Sequence, residues 1–141
     1  MAHWSVRAVS SLTTVLKHAV VLEVFADATT HATGDGKHYY SVTPLADGMD
    51  LTSAHASVVV AGTVGATLDI QIYNMTKATD MLTTKITVDA TEYHSLTALT
   101  PPVIDTAADD VNEGDVLRVD VDALNTTPGQ GLSIILEFTQ P

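Results

Sequence analysis

The feature that most constrains the fold of this chain is an alternation of apolar and polar side chains in residues 54–74. In AHASVVVAGTVGATLDIQIYN, three valines precede a glycine-containing segment, after which Leu68, Ile70 and Ile72 alternate with polar residues. A period of two residues is typical of a β-strand with one buried face. Gly62 and Gly65 can supply the positive φ of a tight turn. The pattern predicts a β-hairpin, and the rest of the chain must cover its apolar face, because an isolated two-stranded ribbon is only marginally stable.

The same alternation recurs later in the chain. It places Leu117, Val119 and Val121 on one face of a strand and Arg118, Asp120 and Asp122 on the other. In the last strand it places four apolar residues inward, namely Leu132, Ile134, Leu136 and Phe138. Strands are predicted at residues 17–25, 38–42, 84–89, 103–104, 116–122 and 132–139. About seven to nine short strands separated by turns indicate an all-β, single-domain antiparallel β-sandwich or barrel.

Two stretches are predicted as loops. Residues 26–37 are small, polar and end in an Asp-Gly turn signal, and residues 90–102 end in a pair of prolines. Leu96 and Leu99 are the expected anchors of the second loop.

A chain of 141 residues fits one domain with a single core. We assign residues 17–141 to the β-sandwich. Residues 1–16 are assigned to an N-terminal arm or edge strand, because residues 4–9 alternate only weakly and chain termini are often poorly ordered.

Charge and composition exclude several classes of function. Six basic residues against 17 acidic ones give a formal net charge of −11, so nucleic-acid phosphates would be repelled. The absence of cysteine excludes a disulfide scaffold and thiolate metal sites. No run of about 20 apolar residues and no signal-peptide pattern is found, so we expect no membrane span and a protein made in a cytoplasm.

A carboxylate-rich segment is the one candidate for a metal site. The residues are Asp105, Asp109, Asp110, Glu113 and Asp115. Carboxylate oxygens on a loop suit Ca²⁺, although their spacing differs from that of an EF-hand. A turn built for backbone geometry alone explains the same residues, so no cofactor other than a possible Ca²⁺ is expected.

No catalytic motif is found. The chain lacks a nucleophile elbow and a phosphate-binding loop, and its six histidines never fall at metal-ligand spacing. We therefore expect a protein that is not an enzyme.

Five segments carry a resemblance to a known class of proteins. They are GDGK at residues 34–37, AGTVGATLDIQI at 61–72, DMLTTKI at 80–86, GDVLRVDVD at 114–122 and GLSIILEF at 131–138. Together they resemble a small β-sandwich protein encoded among the virion genes of tailed bacteriophages. The resemblance implies a jelly-roll-like module of the head, tail or fibre that assembles as a symmetric oligomer, with a trimer favoured. It carries no functional site.

The expected function is a capsid decoration protein, located in the virion, that binds the major capsid protein or other virion proteins and stabilises the shell. The alternative is a carbohydrate- or receptor-binding module of the tail or fibre. The residues expected to contact the partner are Trp4, Arg7, Leu12, Val15 and Leu16. Trp and Arg are enriched at binding hot spots, while a flexible or core-packed N-terminus explains the same segment equally well.

Overall fold

A computed structural model describes residues 15–141 of the chain. Within these residues the chain forms ten strands and two short 3₁₀ turns. The strands are β1 (Lys17–Thr30), β2 (Gly34–Ser41), β3 (Asp50–Ser57), β4 (Leu68–Asn74), β5 (Thr79–Asp80), β6 (Leu82–Thr84), β7 (Ile86–Val88), β8 (Val103–Ile104), β9 (Val116–Ala123) and β10 (Gln130–Thr139). The 3₁₀ turns are Pro44–Ala46 and Ser95–Thr97. The predicted all-β class is confirmed.

Two antiparallel sheets form the body of the domain. Sheet A has the order β1-β10-β3, and sheet B has the order β2-β9-β4-β5, with β7 on the same side of β4 as β5. A small third sheet pairs β6 with β8. β10 lies between β1 and β3, and β9 lies between β2 and β4, so these neighbouring strands come from distant parts of the sequence.

The strand pairing is nested, and this nesting defines a jelly roll. β1 pairs with β10, β2 pairs with β9, and β4 pairs with β7. Between these pairs, β3 lies beside residues 94–110, joined by the isolated bridges Ser57–His94 and Asp50–Asp110. The chain is thus one long antiparallel ribbon rolled into two facing sheets, the arrangement of double-sheet jelly rolls. The predicted jelly-roll-like sandwich is confirmed.

The predicted hairpin in residues 54–74 is wrong in its pairing. Both strands exist, but β3 pairs with β10 in sheet A while β4 pairs with β9 in sheet B. The connection, residues 58–67, crosses from one sheet to the other. Alternation in a sequence fixes which side of a strand is buried, but it does not specify the neighbouring strand. Here the long strands β9 and β10 provide the partners.

Two boundaries also differ from the sequence prediction. Residues 26–37 were predicted as a loop, yet β1 continues to Thr30 and β2 already begins at Gly34. Small and polar residues occur there because residues 26–30 are exposed and residues 34–37 are half-buried or exposed, so neither strand end needs apolar side chains. The strand number exceeds seven to nine because β5 and β6, with two and three residues, are too short to show an alternation.

The core lies between the two main sheets. It contains the predicted inward faces of β9 and β10, namely Leu117, Val119, Val121, Leu132, Ile134, Leu136 and Phe138, each at most 1% exposed. Two polar residues predicted to face water are buried instead, Gln71 and Asp120. Gln71 lies under β6, where its side chain bonds the backbone of Leu82 in both directions. Asp120 lies under the side chain of Arg118, whose guanidinium donates hydrogen bonds to it and covers it from solvent.

Candidate functional site

The two ends of the sandwich carry different kinds of residue. We define the acidic end as residues 42–50, 75–79 and 105–115, and the apolar end as residues 58–67, 89–93 and 124–130. Backbone hydrogen bonds hold each set of loops together. The acidic end has seven carboxylates, Asp47, Asp50, Asp105, Asp109, Asp110, Glu113 and Asp115, and one basic residue, Lys77. The apolar end has two carboxylates, Asp89 and Glu92.

A polar network organises the acidic end around Asp115, which is 4% exposed. Its Oδ2 accepts hydrogen bonds from Asn74 Nδ2 and from the backbone N–H of Asn112, both at 3.1 Å. Lys77 Nζ lies 3.6 Å from Asp115 Oδ2 and 2.5 Å from Asp110 Oδ2. The lysine therefore joins the loop after β4 to the loop before β9.

Burial and charge shift the pKa values of three groups at the acidic end, Lys77, Asp110 and Asp109. Burial by itself lowers the pKa of Lys77, but the hydrogen bond and charge of Asp110, with Asp115, outweigh it and raise the pKa. The hydrogen bond from Lys77 lowers the pKa of Asp110 below its ordinary value. Burial, followed by the negative charge of Asp50, raises the pKa of Asp109. Neighbouring carboxylates in one loop thus have opposite shifts, because Lys77 bonds only one of them.

The predicted Ca²⁺ ligands do not converge on one point. Asp105 bonds the backbone N–H of Ala107, Asp110 and Asp115 are engaged by Lys77, and the backbone N–H of Glu113 bonds Asp47. Within residues 15–141 there is no group of three or more ligating side chains placed to hold a metal ion. The hydrogen-bonding partners found here are those of a carboxylate-stabilised turn.

The apolar end is formed by three interlocked loops. Val58 N–H donates to the Tyr93 carbonyl, Thr91 N–H donates to the Gly62 carbonyl, and Thr63 exchanges backbone hydrogen bonds with Thr127. This locked framework exposes large apolar side chains, namely Val59 (52%), Val60 (45%), Val64 (64%) and Tyr93 (59%). A rigid loop cluster that presents apolar side chains to solvent is typical of a binding surface.

Of the three non-glycine residues with positive φ in residues 15–141, two lie at the apolar end and the third, Ala78, lies at the acidic end. Val64 has φ 62° and Thr91 has φ 70°. The left-handed region costs a β-branched residue about 1–2 kcal/mol, so the surrounding hydrogen bonds must hold both residues there. Such strain is found most often at functional sites. Gly62 and Gly129 permit the close approach, since a Cβ on Gly62 would overlap Asn125 and one on Gly129 would overlap the Val60 carbonyl.

His31 attaches the turn between β1 and β2 to the apolar end. Its backbone N–H donates to the Gly129 carbonyl, and its Nε2 donates to the Gly131 carbonyl at 2.6 Å. The imidazole is 3% exposed. This histidine therefore has a structural role.

The edge of the sandwich beside β3 also exposes apolar residues. Leu96 is 71% exposed and Leu99 is 92% exposed, so the prediction that they anchor their loop is wrong. The loop is held instead by polar contacts: Ser95 Oγ accepts from Ala56 N–H, and Asp89 accepts from Leu99 N–H.

A third group of side chains lies on the outer face of sheet B. Arg118 donates two hydrogen bonds to Asp120, at 2.7 and 2.8 Å, and its guanidinium stacks on the Tyr73 ring with its centre 4.5 Å from the centroid. The hydrogen bond to Asp120 raises the pKa of Arg118. Tyr39 is the neighbour of Arg118 on β2 and is 56% exposed. Nothing in the sequence spacing indicates this cluster, because three strands contribute to it.

The predicted partner-binding residues are only partly described. Trp4, Arg7 and Leu12 lie outside the described residues, and their role stays a prediction. Val15 and Leu16 precede β1 and are 54% and 53% exposed. They lie at the acidic end, because β1 begins opposite Thr139, which also pairs with Asp50.

No cavity was detected in residues 15–141, so the candidate sites described here are surfaces. In the same part of the chain, no helix has the length and apolar character needed to cross a bilayer. Comparisons with protein-family models, with curated proteins and with solved structures found no match for this chain.

Proposed function

We propose that this protein is a non-enzymatic structural component of the virion of a tailed bacteriophage, most concretely a decoration protein that binds the outside of the capsid. Two features support the proposal. The jelly roll is a fold of viral capsid and lectin domains. The segments that resemble phage virion proteins include the turn and strand of residues 61–72, which contain Val64.

The observation that carries the proposal is the exposed group of apolar side chains at the apolar end. Val59, Val60, Val64 and Tyr93 lie on loops that are fixed to one another by backbone hydrogen bonds. A rigid surface loses little conformational entropy on binding, and its apolar area contributes about 25 cal/mol for each Å² removed from water. Tyrosine is also enriched at binding hot spots.

The mechanism is the stabilisation of one state by binding. A subunit that binds the intact shell and not its dissociated proteins adds free energy that disruption must overcome. Residues 1–16 provide a second contact in this proposal, with Trp4 and Arg7 as its anchors. Val15 and Leu16, the part of this segment that the structure describes, lie at the acidic end, whereas the exposed valines lie at the apolar end.

A particle-binding experiment tests this function. Capsids that lack the protein are mixed with purified protein, and both bound protein and the temperature of particle disruption are measured. We expect the protein to bind and to raise that temperature. Val64→Asp should weaken binding at least about tenfold, because a charge would be buried in the contact.

Leu96→Asp is the matched control, since Leu96 is 71% exposed but lies on the edge beside β3, outside both ends. It should change binding less than about threefold. The proposal is wrong if the protein does not bind particles, or if the disruption temperature is the same with and without it. Equal effects of the two substitutions would exclude the apolar end as the contact.

A second candidate is a carbohydrate-binding module of the tail or fibre. The observation that favours it is the row of Tyr39, Arg118 and Tyr73 on neighbouring strands, with Asp35 3.5 Å from Arg118. Aromatic rings beside charged groups can bind sugars through their apolar faces and hydroxyls. A glycan array distinguishes the candidates: binding that Tyr39→Ala abolishes supports a carbohydrate site, and a blank array counts against it.

A further inference from the structure

The edges of the two main sheets differ in how well they are protected against pairing with another chain. The β3 edge is covered by residues 94–110, and Ser95 bonds the backbone of β3 there. The β2 edge is interrupted by a register shift and by Gly34 and Gly36 at positive φ. β5 and β7 are only two and three residues long. Short, irregular or covered edges are the usual protection against unwanted strand pairing.

Nothing in residues 15–141 protects β1 in this way over residues 17–23. This stretch pairs with β10 in unbroken register from Lys17–Thr139 to Glu23–Ser133. It is the outermost strand of sheet A, and within residues 15–141 its backbone pairs only with β10. Val21, at the centre of the stretch, is 68% exposed. A long regular edge of this kind is a template for strand addition.

The free hydrogen-bonding groups of this edge can be identified. Gln140 N–H donates to the Leu16 carbonyl at 2.9 Å, so residue 16 belongs to a hydrogen-bonded pair with β10. Directly opposed residues of antiparallel strands alternate between bonded and non-bonded pairs. The backbone groups that point away from β10 are therefore those of Lys17, Ala19, Val21 and Glu23, whose side chains are also exposed.

The sequence of the edge is complementary to itself. When two copies lie antiparallel around a two-fold axis at Val20, Lys17 of each faces Glu23 of the other, and Ala19 faces Val21. Opposite charges directly across two strands are favourable. Centring the axis on Ala19 or Val21 instead would place Glu23 opposite Val15 or Ala19 and leave the charges unpaired. Charge pairing thus selects one register.

The antiparallel arrangement also lowers repulsion between two copies of a chain whose net charge is −11. β1 begins at the acidic end, so the two acidic ends would lie on opposite sides of the two-fold axis, each beside residues 23–25 of the other copy. The acidic ends are then farther apart than they would be in a parallel pair of β1 strands.

We propose that two copies of this chain form a homodimer through β1, which joins their A sheets into one six-stranded sheet with the order β3-β10-β1-β1-β10-β3. The interface is a pair of antiparallel strands, residues 17–23, centred on Val20. This inference goes beyond the proposed function, because it concerns the protein alone and holds whether or not the protein binds a capsid. A two-fold contact also differs from the trimer that the resemblance implies.

Sedimentation of the full chain over a concentration series tests the dimer. Val21→Pro removes an N–H that points to the free edge and leaves the hydrogen bonds to β10 in place. It should raise the dimer dissociation constant at least about tenfold. Val21→Thr, which keeps the N–H and the β-branch, should change the constant less than about threefold. A monomeric wild type, or oligomers that Val21→Pro leaves unchanged, would overturn the proposal.

Charge reversal tests the register. In the proposed register, residue 23 of each copy faces Lys17 of the other, so Glu23→Lys creates two pairs of facing lysines. We expect the dissociation constant to rise about tenfold. Adding Lys17→Glu should restore most of the affinity. Lys17 also lies 3.3 Å from Glu137, so thermal unfolding of the monomer is measured for each variant to separate folding from association. A double variant as weak as the single one would exclude this register.

Crosslinking gives an independent measurement, because the chain has no cysteine of its own. Val20 would face its counterpart in a non-bonded pair, with Cα atoms about 4.5 Å apart, which is within disulfide range. Val20→Cys should therefore form a covalent dimer under mild oxidation, whereas Val24→Cys, on the same face but far from the axis, should not. Equal crosslinking of both variants would contradict the proposal.

Other occupants of the edge would give different results. If residues 1–14 of the same chain cover it, the full chain is monomeric and dimerises only after these residues are removed. If a strand of another virion protein covers it, both forms are monomeric. Either result overturns the homodimer.

Discussion

The two ends of this sandwich show two ways of building loops on the same strands. Backbone hydrogen bonds join the loops at both ends. At the acidic end, charged and polar side chains add further contacts: Lys77 bonds Asp110, and Asn74 bonds Asp115. At the apolar end, glycines allow the chains to approach closely. We therefore expect the acidic end to be the more sensitive to pH and salt. The apolar end depends on backbone geometry, which leaves its side chains free to contact a partner.

The largest predicted difference between the ends concerns glycine. At the apolar end, Gly129→Ala should destabilise the fold by about 3 kcal/mol, because the new Cβ would overlap the backbone of Val60 and Gly62. At the acidic end, Gly114 has φ 86° but open space around it. Gly114→Ala should cost only about 1 kcal/mol of backbone strain. Urea unfolding followed by circular dichroism measures both. Equal costs would show that the apolar end is not tightly packed.

The next effect concerns the lysine of the acidic end. Lys77→Met should lower the free energy of unfolding by about 1–2 kcal/mol, because charge-assisted hydrogen bonds to Asp110 are lost beside the buried Asp115. Lys85→Met is the control, since the Lys85 side chain is more exposed than that of Lys77 and its carboxylate partner, Asp122, is less buried than Asp115. It should cost less than about 1 kcal/mol. Added salt should reduce the difference in unfolding free energy between wild type and Lys77→Met. A difference that salt does not change would argue against an electrostatic origin.

Relief of the backbone strain at Val64 should increase the stability of the fold. Val64→Gly removes about 1–2 kcal/mol of left-handed strain and costs about 0.5–1 kcal/mol of backbone entropy. We therefore expect a net gain of up to about 1.5 kcal/mol, together with weaker particle binding. Val60→Gly, at a position without positive φ, should lose stability instead. Thermal unfolding distinguishes the two, and a loss with Val64→Gly would mean that its conformation is unstrained.

The smallest predicted effect is a pair of opposite pH dependences at neighbouring carboxylates. The lowered pKa of Asp110 contributes stability above its ordinary value of 3.8, and this contribution is lost as the pH falls through the folded-state pKa. The raised pKa of Asp109 has the opposite sign, so ionisation at neutral pH destabilises the fold and acid removes the penalty. At pH 7, Asp110→Asn should destabilise and Asp109→Asn should stabilise, each by less than about 1 kcal/mol. Both differences should shrink as the pH falls through the folded-state pKa values of these two groups, and changes of the same sign at pH 7 would contradict the assignment.

Much of the fold could be predicted from the sequence. The two-residue period identified β4, β9 and β10 and the buried faces of the last two, because burial of one face requires that period. The short strand β8 was also predicted at its observed bounds. The expected anchors Leu96 and Leu99 are exposed, since an apolar residue in an isolated loop carries no periodicity to indicate its direction.

The candidate surfaces were harder to predict. The carboxylates of residues 105–115 are evident in the sequence, but their contact with Lys77 is not, because that lysine is about 30 residues away along the chain. The apolar end combines three separate loops, and the cluster around Arg118 combines three strands. In each case the contacts join residues that are distant in sequence.

The sequence by itself determined the class of fold, the positions of the main strands and the charge of the molecule, because these depend on local periodicity and composition. Only the tertiary structure decided which strands are neighbours. Residues 54–74 are the clearest example: their alternation defines two strands, yet nested pairing places β3 and β4 in different sheets. The glycine-containing connection between them is therefore a crossing between sheets that exposes Val64, and not a tight hairpin turn.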